Sequence, residues 1–288
     1  MIAHVAEAGE DRGRVVLRLG SSGCISEIAL EAAMRVAQAF QSEIESVFVE
    51  DRQLFDMARF PFAREISLSG QRTRALSQGE IEHDIQMQAA ALQRKVLAIA
   101  RSCEVPARTR IVRDEPVRAL AIACAESGPW NVVTLAEPFT ERDATELSEL
   151  FDAVAGTTGF VVAGPKARHT KGDVVAVVED VERVPPMLRA AERIAATTGG
   201  AARLLLIDDN AERLEWMEGQ VRLALGQRTA INLETVNMSR RSMGSVAEML
   251  RRSRAGFVIA RFRGRFVSGD GGLAHLAAML EGPLFLVR

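Results

Sequence analysis

Residues 14–51 read RVVLRLGSSGCISEIALEAAMRVAQAFQSEIESVFVED: a short apolar run, a turn of small residues, an alanine-rich stretch and a second apolar run. The two apolar runs have the Val, Ile and Leu content of strands that are covered on both faces. The stretch between them has apolar residues at helical spacing. Residues 173–209, DVVAVVEDVERVPPMLRAAERIAATTGGAARLLLIDD, repeat the same order. The sequence therefore predicts one structural unit that occurs twice.

The alternation of strands and helices continues through both halves of the chain. Strands are predicted at 14–19, 44–49, 107–112, 131–136, 159–164, 173–178, 203–208, 231–236, 256–260 and 283–288. Helical patterns between them indicate a parallel sheet with helices on both faces. We predict an α/β fold of two tandem Rossmann-like domains, each a five-stranded parallel sheet flanked by helices. Domain 1 spans residues 1–168, with 19 basic and 24 acidic residues, and domain 2 spans residues 169–288, with 17 basic and 14 acidic residues.

The two halves differ at residues 51–79, a long connection that the second half lacks. This segment contains Phe55, Phe60 and Phe62, three of only 12 phenylalanines in the chain. Long connections are either functional or disordered, and such an apolar one is expected to pack against something. Two interpretations stay open: the segment covers its own sheet, or it forms the surface of a dimer or of a complex with a partner protein.

Composition excludes several classes of protein. The 288 residues carry a net charge of −2, which does not favour nonspecific nucleic-acid binding. No apolar run approaches the ~18 residues of a membrane span, and the first residues lack the apolar core of a secretory signal. The three cysteines are far apart and the four histidines form no HExxH motif, so neither a disulfide framework nor a zinc site is expected. We expect a cytoplasmic protein without membrane insertion.

The end of the chain, GFVIARFRGRFVSGDGGLAHLAAMLEGPLFLVR (256–288), reads as a strand, a glycine-containing loop, a helix and a final strand that begins with proline. Together with residues 14–51 and 173–209, it resembles the universal stress protein family in its tandem two-domain form. The resemblance covers nearly the whole chain, because each half resembles one family domain. It implies a role in stress response or signalling.

ATP-binding members of that family resemble one another in a loop of the form G-x2-G-x9-G-[ST] after the fourth strand. Glycines let backbone N–H groups approach phosphates, and the following helix N-terminus favours anions. These members also have an Asp after the first strand that contacts the nucleoside. In the first half, Ala136-Glu137-Pro138-Phe139 follow the fourth strand and Leu19 or Ser21 falls at the Asp position. We expect this half not to bind ATP.

The second half keeps part of the pattern. Glu179 falls where the Asp would lie, Arg261 replaces the first loop glycine and Gly264 matches the second. Gly271 and Gly272 come two to three residues too early for the third glycine, and no Ser or Thr follows them. The resemblance therefore implies a degenerate ATP-binding motif.

Arginines cluster around this loop. Eight lie between residues 240 and 265, against one acid, Glu248: Arg240, Arg241, Arg251, Arg252, Arg254, Arg261, Arg263 and Arg265. Arginine suits phosphate geometry, and open α/β sheets bind ligands at the carboxyl ends of their strands. One interpretation is a solvated helix face followed by a basic loop. The other is a site for ATP, another adenine nucleotide or another anion, formed by Glu179, Arg261, Arg263, Gly264, Gly271 and Gly272.

Three hypotheses of function follow. The first is a non-catalytic stress-response or signalling protein that acts through a protein partner, with residues 51–79 as the candidate contact. The second is a sensor that binds a nucleotide or anion in domain 2. The third is an ATP-hydrolysing enzyme, which has little support because no residue makes a convincing general base with a matched partner.

The resemblance also implies how the halves meet. Single-domain members of the family form dimers by pairing their last strands. Residues 159–164 and 283–288 are expected to pair in the same way, which would make the chain an intramolecular pseudo-dimer. Phe160 and Val162 would then alternate with Leu284 and Leu286 on a buried face. A homodimer of the whole chain is left open.

Three smaller features also carry predictions. The turn GSSGC (20–24) places Cys24 near a helix start. A tight turn with a packed thiol is favoured over an anion-binding turn with a Cys24 that reacts with oxidants. Asp208-Asp209-Asn210 are expected to cap the next helix instead of holding a cation. Trp130 and Trp216 are expected to pack in the interior instead of stacking on a base.

Overall fold

The computed structural model describes residues 13–20, 25–67, 69–71, 73–126, 130–137, 139–153, 157–226, 231–240, 242–267 and 269–288. The strands are β1 (Arg14–Leu19), β2 (Glu43–Asp51), β3 (Arg64–Ile66), β4 (Thr73–Ala75), β5 (Ala107–Asp114), β6 (Asn131–Leu135), β7 (Thr157–Val162), β8 (Gly172–Val178), β9 (Gly199–Asp208), β10 (Asn232–Asn237), β11 (Phe257–Arg261) and β12 (Leu284–Val287). The helices are α1 (Glu27–Ala39), α2 (Arg52–Ala58), α3 (Gln78–Ser102), α4 (Pro116–Ala125), α5 (Glu141–Ala153), α6 (Val184–Thr198), α7 (Ala211–Leu225), α8 (Met243–Arg252) and α9 (Gly269–Met279).

Ten of these strands form one continuous sheet, in the order β5-β2-β1-β6-β7-β12-β11-β8-β9-β10. Within each half the five strands are parallel, and both halves have the same order of strands. Helices α1, α3, α6 and α7 contribute to the core on one face of the sheet, and α4, α5, α8 and α9 to the core on the other. The predicted α/β fold with a parallel sheet between helices is confirmed.

The halves join through β7 and β12, which pair antiparallel. Leu284 lies opposite Val162 and Leu286 opposite Phe160, so the predicted pairing of residues 159–164 with 283–288 is confirmed. All four side chains are at most 1 % exposed and belong to the same hydrophobic cluster. The junction between the halves is therefore as well buried as the interior of either half.

Local sequence explains where the helices begin and end. Ser26 precedes α1, and its hydroxyl accepts a hydrogen bond from the Ala29 N–H group, as an N-cap does. Pro185 and Pro186 lie in the first turn of α6, where the missing N–H groups have no helical partner in any case. Gly199 ends this helix with a φ of +73°, a left-handed conformation that glycine adopts at low cost.

Residues 51–79 contain regular structure that the sequence analysis missed. They form α2 and a short antiparallel hairpin of β3 and β4. Phe55 on α2 is buried, with the Arg113 guanidinium carbon 4.1 Å from its ring centre. Phe60 and Phe62 stack on each other, with their ring centres 5.3 Å apart. Phe60 is 53 % exposed and Phe62 is 76 % exposed. The segment therefore covers part of its own domain through Phe55 and presents two phenylalanines to solvent.

The helices that the structure describes include none with both the length and the apolar character needed to cross a membrane. The longest, α3, has 25 residues, but charged and polar side chains interrupt it throughout.

Candidate functional site

The candidate site lies in the second half, at the carboxyl ends of β8 and β11. These neighbouring strands are followed by connections that leave in opposite directions, since β8 leads to β9 on one side and β11 leads to β12 on the other. Open α/β sheets bind ligands in the crevice at such a point. Glu179 follows β8, and Arg261 is the last residue of β11. The loop that begins at residue 262 completes the crevice.

A carboxylate of the chain itself occupies the backbone donors of this loop. The Glu179 side chain accepts hydrogen bonds from the N–H groups of Arg265 and Phe266, each at 2.8 Å. A Cβ atom on Gly264 would lie 2.6 Å from one Glu179 oxygen, so any larger residue here would displace the Glu179 carboxylate. The loop thus presents paired N–H groups to an anion, as phosphate-binding loops do, and the anion is Glu179.

Two arginines of the loop are engaged by acids. Arg265 donates a hydrogen bond to Asp208 at 2.9 Å, and Arg213 pairs with the same buried carboxylate at 3.2 Å. Arg263 donates to both oxygens of Asp152, at 2.7 and 2.9 Å, although Asp152 belongs to α5 of the first half. The hydrogen bond from Arg263 holds the pKa of the Asp152 carboxyl below its ordinary value.

The remaining predicted residues lie on either side of this cluster. Arg261 is exposed at the end of β11, and no ion pair or hydrogen bond of its side chain occurs among the described residues. Gly271 and Gly272 lie in the first turn of α9 and not in the loop before it. The structure therefore brings Glu179 and Gly264 into contact, turns Arg263 towards the first half and leaves Arg261 exposed.

The contacts of Arg265 and Asp208 were not part of the predicted site. The sequence predicts Arg265 only as one of the clustered arginines and Asp208 only as part of a helix cap. Asp208 is 3 % exposed and also accepts a hydrogen bond from the Asn210 N–H group at 2.8 Å. An aspartate at the buried end of a strand, two strands away from a basic loop, is the one signal in the sequence that pointed to this pair.

The equivalent crevice of the first half is filled by an ion cluster. Arg18 at the end of β1 is 7 % exposed and pairs with Asp143 at 2.7 Å, Glu146 at 2.7 Å and Glu137 at 3.2 Å. Burial alone would lower the pKa of Arg18, but these three carboxylates together raise it above its ordinary value. A Cβ atom on Gly20 would lie 2.4 Å from a Glu137 oxygen. In each half, charged side chains of the chain itself thus fill the crevice at the carboxyl ends of its first and fourth strands.

Other predicted features have mixed outcomes. Asn210 caps α7 by accepting hydrogen bonds from the Glu212 and Arg213 N–H groups, as expected. Trp130 is 7 % exposed, but Trp216 is 58 % exposed, so its assignment to the interior was wrong. It lies on the solvent side of α7, one position before the buried Met217. Cys24 and the rest of residues 21–24 lie outside the described residues.

The arginines of α8 form a solvated helix face. Arg251 and Arg252 both donate hydrogen bonds to Glu248, which lowers the pKa of that carboxyl to about 2. For these two residues the structure agrees with the interpretation as a solvated helix face. Arg241 lies outside the described residues, so its part in the cluster stays a prediction.

Comparison with known proteins identifies the fold. No family model matches the chain, and no curated protein matches its sequence. Among solved structures, a protein assigned as a universal stress protein from Pseudomonas aeruginosa UCBPP-PA14 is similar, with a TM-score of 0.59, 12 % identity, and 96 % of this chain and 93 % of that chain covered. A universal stress protein from Archaeoglobus fulgidus DSM 4304 has a TM-score of 0.57 and 14 % identity, with 95 % of this chain and 96 % of that chain covered.

The same fold also occurs in a different setting. The cytoplasmic domain of a prokaryotic cation chloride cotransporter is similar to this chain, with a TM-score of 0.54, 8 % identity, and 96 % of this chain and 95 % of that chain covered. The chain therefore has the fold of universal stress proteins across almost its whole length. Because one fold carries many functions, similarity of fold does not establish the function of this chain.

Proposed function

We propose that this chain is a non-catalytic, universal-stress-protein-like protein of stress response or signalling, which acts in the cytoplasm through a protein partner and does not use ATP. The observation that supports this proposal most directly is the contact of Glu179 with the N–H groups of Arg265 and Phe266. Phosphate oxygens entering this loop would have to displace a carboxylate that already holds both donors. They would also be repelled by its negative charge.

The cost of this displacement is substantial. Hydrogen bonds to a charged group contribute about 1.5–3 kcal/mol each. Arg265 and Arg263 compensate little, because each already pairs with a carboxylate, Asp208 and Asp152 respectively. A nucleotide would therefore replace existing charge pairs with equivalent ones, and its binding would gain little free energy from them.

The insertion supports action through a partner. Phe60 and Phe62 stack on each other with most of their surface in solvent, and Met57 and Ile66 of the same segment are 48 % and 64 % exposed. Clusters of exposed apolar side chains mark interaction surfaces in soluble proteins. The partner surface proposed here consists of Met57, Phe60, Phe62 and Ile66.

Thermal melting with and without ATP, ADP, AMP and cyclic nucleotides tests the absence of nucleotide binding. A ligand at ~100 times its dissociation constant adds about 2.7 kcal/mol of stability, a rise of several degrees in Tm. We expect no rise with any of these nucleotides. A rise with ATP would contradict the proposal.

A sensor function is the second candidate, and the exposed Arg261 at the end of β11 is the observation that favours it. In that case ATP raises Tm, and Arg261→Ala abolishes the rise. Arg252→Ala, which removes an exposed arginine from α8, leaves the rise unchanged. If the purified protein also hydrolyses ATP and Arg261→Ala stops the hydrolysis, the chain is an enzyme.

The partner surface has its own test. The double variant Phe60→Ser, Phe62→Ser removes the two stacked rings from the surface, so it is expected to melt like the wild type. Proteins captured from a lysate of the source cells by the wild-type chain are expected to be missing with this variant. Leu223→Ser, which changes a 77 % exposed leucine on α7, serves as the matched control and retains them. Identical captures by all three proteins would contradict the assigned surface.

A further inference from the structure

A second concave site lies at the seam between the two halves, away from the crevice of Glu179. It is an open pocket on the face of the sheet that carries α1 and α6. Phe40 at the end of α1, Trp130 before β6 and Phe285 on β12 form its walls. Small-molecule sites typically have mostly apolar walls with a few polar or charged groups that orient the ligand. In its lining, the pocket resembles a site for a small molecule.

The aromatic walls are fixed by their neighbours. Phe40 meets Trp130 edge-on at 5.9 Å and Phe285 edge-on at 6.4 Å, measured between ring centres. The Trp130 ring lies directly against Gly13, where a Cβ atom would be 1.9 Å from the indole carbons. A Cβ atom on Gly159 would likewise lie 2.7 Å from a carbon of the Phe285 ring. Because the Trp130 and Phe285 rings each fill the space beside a glycine, and Phe40 packs edge-on against both, these three walls hold one another in place.

Two arginines of α6 line the pocket on one side. Arg189 and Arg193 lie four residues apart on α6, so their side chains project from the same face of the helix. The Arg193 guanidinium carbon lies 5.9 Å from the centre of the Phe40 ring. No acidic side chain occurs among the described residues that line the pocket. Arg189 is exposed at its edge.

We propose that this pocket binds a small amphipathic carboxylate, whose aromatic or aliphatic body lies against the surface formed by Phe40, Trp130 and Phe285 and whose carboxylate pairs with Arg189 and Arg193. Guanidinium groups bind carboxylates with well-defined geometry, and the apolar walls gain from burial of a hydrocarbon body. Among the described residues of the lining, Thr158 has the only hydroxyl group, and it donates a hydrogen bond to the Asn131 carbonyl. The walls therefore have little capacity to recognise the polar edges of a base or a sugar.

Tryptophan fluorescence reports directly on this pocket. The chain has two tryptophans and no tyrosine, so Trp216→Phe leaves Trp130 as its only strong emitter. Because Trp216 is exposed on α7, this background is expected to melt like the wild type. Titration with 4-phenylbutyrate is expected to change Trp130 emission saturably. The uncharged analogue 4-phenylbutanol is expected to bind about five- to tenfold more weakly, because it lacks the charge that pairs with the arginines.

Arginine variants distinguish the contribution of the ligand's carboxylate to binding from that of its apolar body. Arg189→Gln and the double variant Arg189→Gln, Arg193→Gln are expected to lower the affinity for 4-phenylbutyrate progressively, by about five- to tenfold in the double variant, and to leave 4-phenylbutanol binding unchanged. Arg94→Gln removes an exposed arginine of α3 outside the pocket and is expected to have no effect. The three substitutions are at exposed or half-buried positions, so folding is not at risk.

A variant that fills the pocket tests whether the compounds bind there. Ala190 lines the pocket from α6, and Ala190→Leu is expected to reduce binding of both compounds. An absence of any saturable change in Trp130 emission would overturn the proposal. Equal affinities for the acid and the alcohol, or an unchanged affinity in the double arginine variant, would overturn the assignment of a carboxylate. If Ala190→Leu does not fold, the arginine series alone decides.

Discussion

The Glu179 carboxylate occupies the space beside Gly264 so closely that a Cβ atom at position 264 would lie 2.6 Å from its oxygen. The same carboxylate holds the N–H groups of Arg265 and Phe266. Glycine at 264 and glutamate at 179 thus belong to one arrangement, in which the loop after β11 wraps around an anion supplied by the end of β8.

Replacement of Gly264 tests this arrangement. Gly264→Ala is expected to lower the free energy of unfolding by about 1–3 kcal/mol, because Glu179 has to move away from its two donors. In urea unfolding, Gly264→Ala combined with Glu179→Ala is expected to cost less than the sum of the two single variants. Strict additivity would show that the two residues do not interact.

Removal of the carboxylate is expected to open the loop to other anions. In Glu179→Ala the N–H groups of Arg265 and Phe266 have no internal acceptor, so inorganic phosphate is expected to raise Tm in a concentration-dependent way. The wild type is expected to show no such rise. Glu182→Ala, a change at an exposed position nearby, serves as the control and behaves like the wild type. Equal responses of all three proteins would show that Glu179 does not close the loop.

The ion cluster of the first half predicts a large loss of stability. Arg18→Met leaves Glu137, Asp143 and Glu146 close together without their shared cation. Removal of one partner from a buried ion pair typically costs about 3–5 kcal/mol. Arg52→Met, which breaks an exposed pair with Asp56 on α2, is expected to change stability by less than about 1 kcal/mol. Chemical unfolding of both variants measures the difference, and similar losses in the two would contradict the structural role of Arg18.

Most of the fold could be predicted because its signals are local. Continuous Val, Ile and Leu runs identify parallel strands that are buried on both faces, and helix ends such as Ser26 and Gly199 carry their own caps. The pairing of β7 with β12 was predicted from family resemblance and not from local pattern, and its antiparallel direction comes from the structure alone. The strands β3 and β4 were missed because three exposed residues each give no periodic signal.

The site was harder to predict because its decisive contacts join distant parts of the chain. Glu179 was identified as a ligand residue, yet it contacts the backbone of residues 265 and 266, whose N–H groups have no signature in the sequence. Arg263 was assigned to an anion site, yet the antiparallel junction brings Asp152 of the other half within hydrogen-bonding distance. Long-range ion pairs of this kind depend on how the halves meet.

The pair of Asp152 and Arg263 predicts a pH dependence. Hydrogen bonds from Arg263 hold the pKa of the Asp152 carboxyl below 3.8, and Arg263→Gln is expected to return it towards that value. Because the folded pKa is the lower one, the pair stabilises the protein above the pKa of the unfolded chain, about 4. That contribution is lost as the pH falls through the folded pKa. Carboxyl NMR titration of both proteins measures the shift, and identical titrations would contradict the pair.

The junction of the halves supplies the final prediction. Leu286 is fully buried on β12, opposite Phe160 of β7. Leu286→Asp places an unpaired carboxylate in this apolar interior, so the variant is expected to lose about 4 kcal/mol or more of stability. Leu223→Asp makes the same chemical change at a leucine that is 77 % exposed, and it is expected to melt within a few degrees of the wild type. If Leu286→Asp melts like Leu223→Asp, then β12 is not held between β11 and β7, and the continuous ten-stranded sheet is wrong.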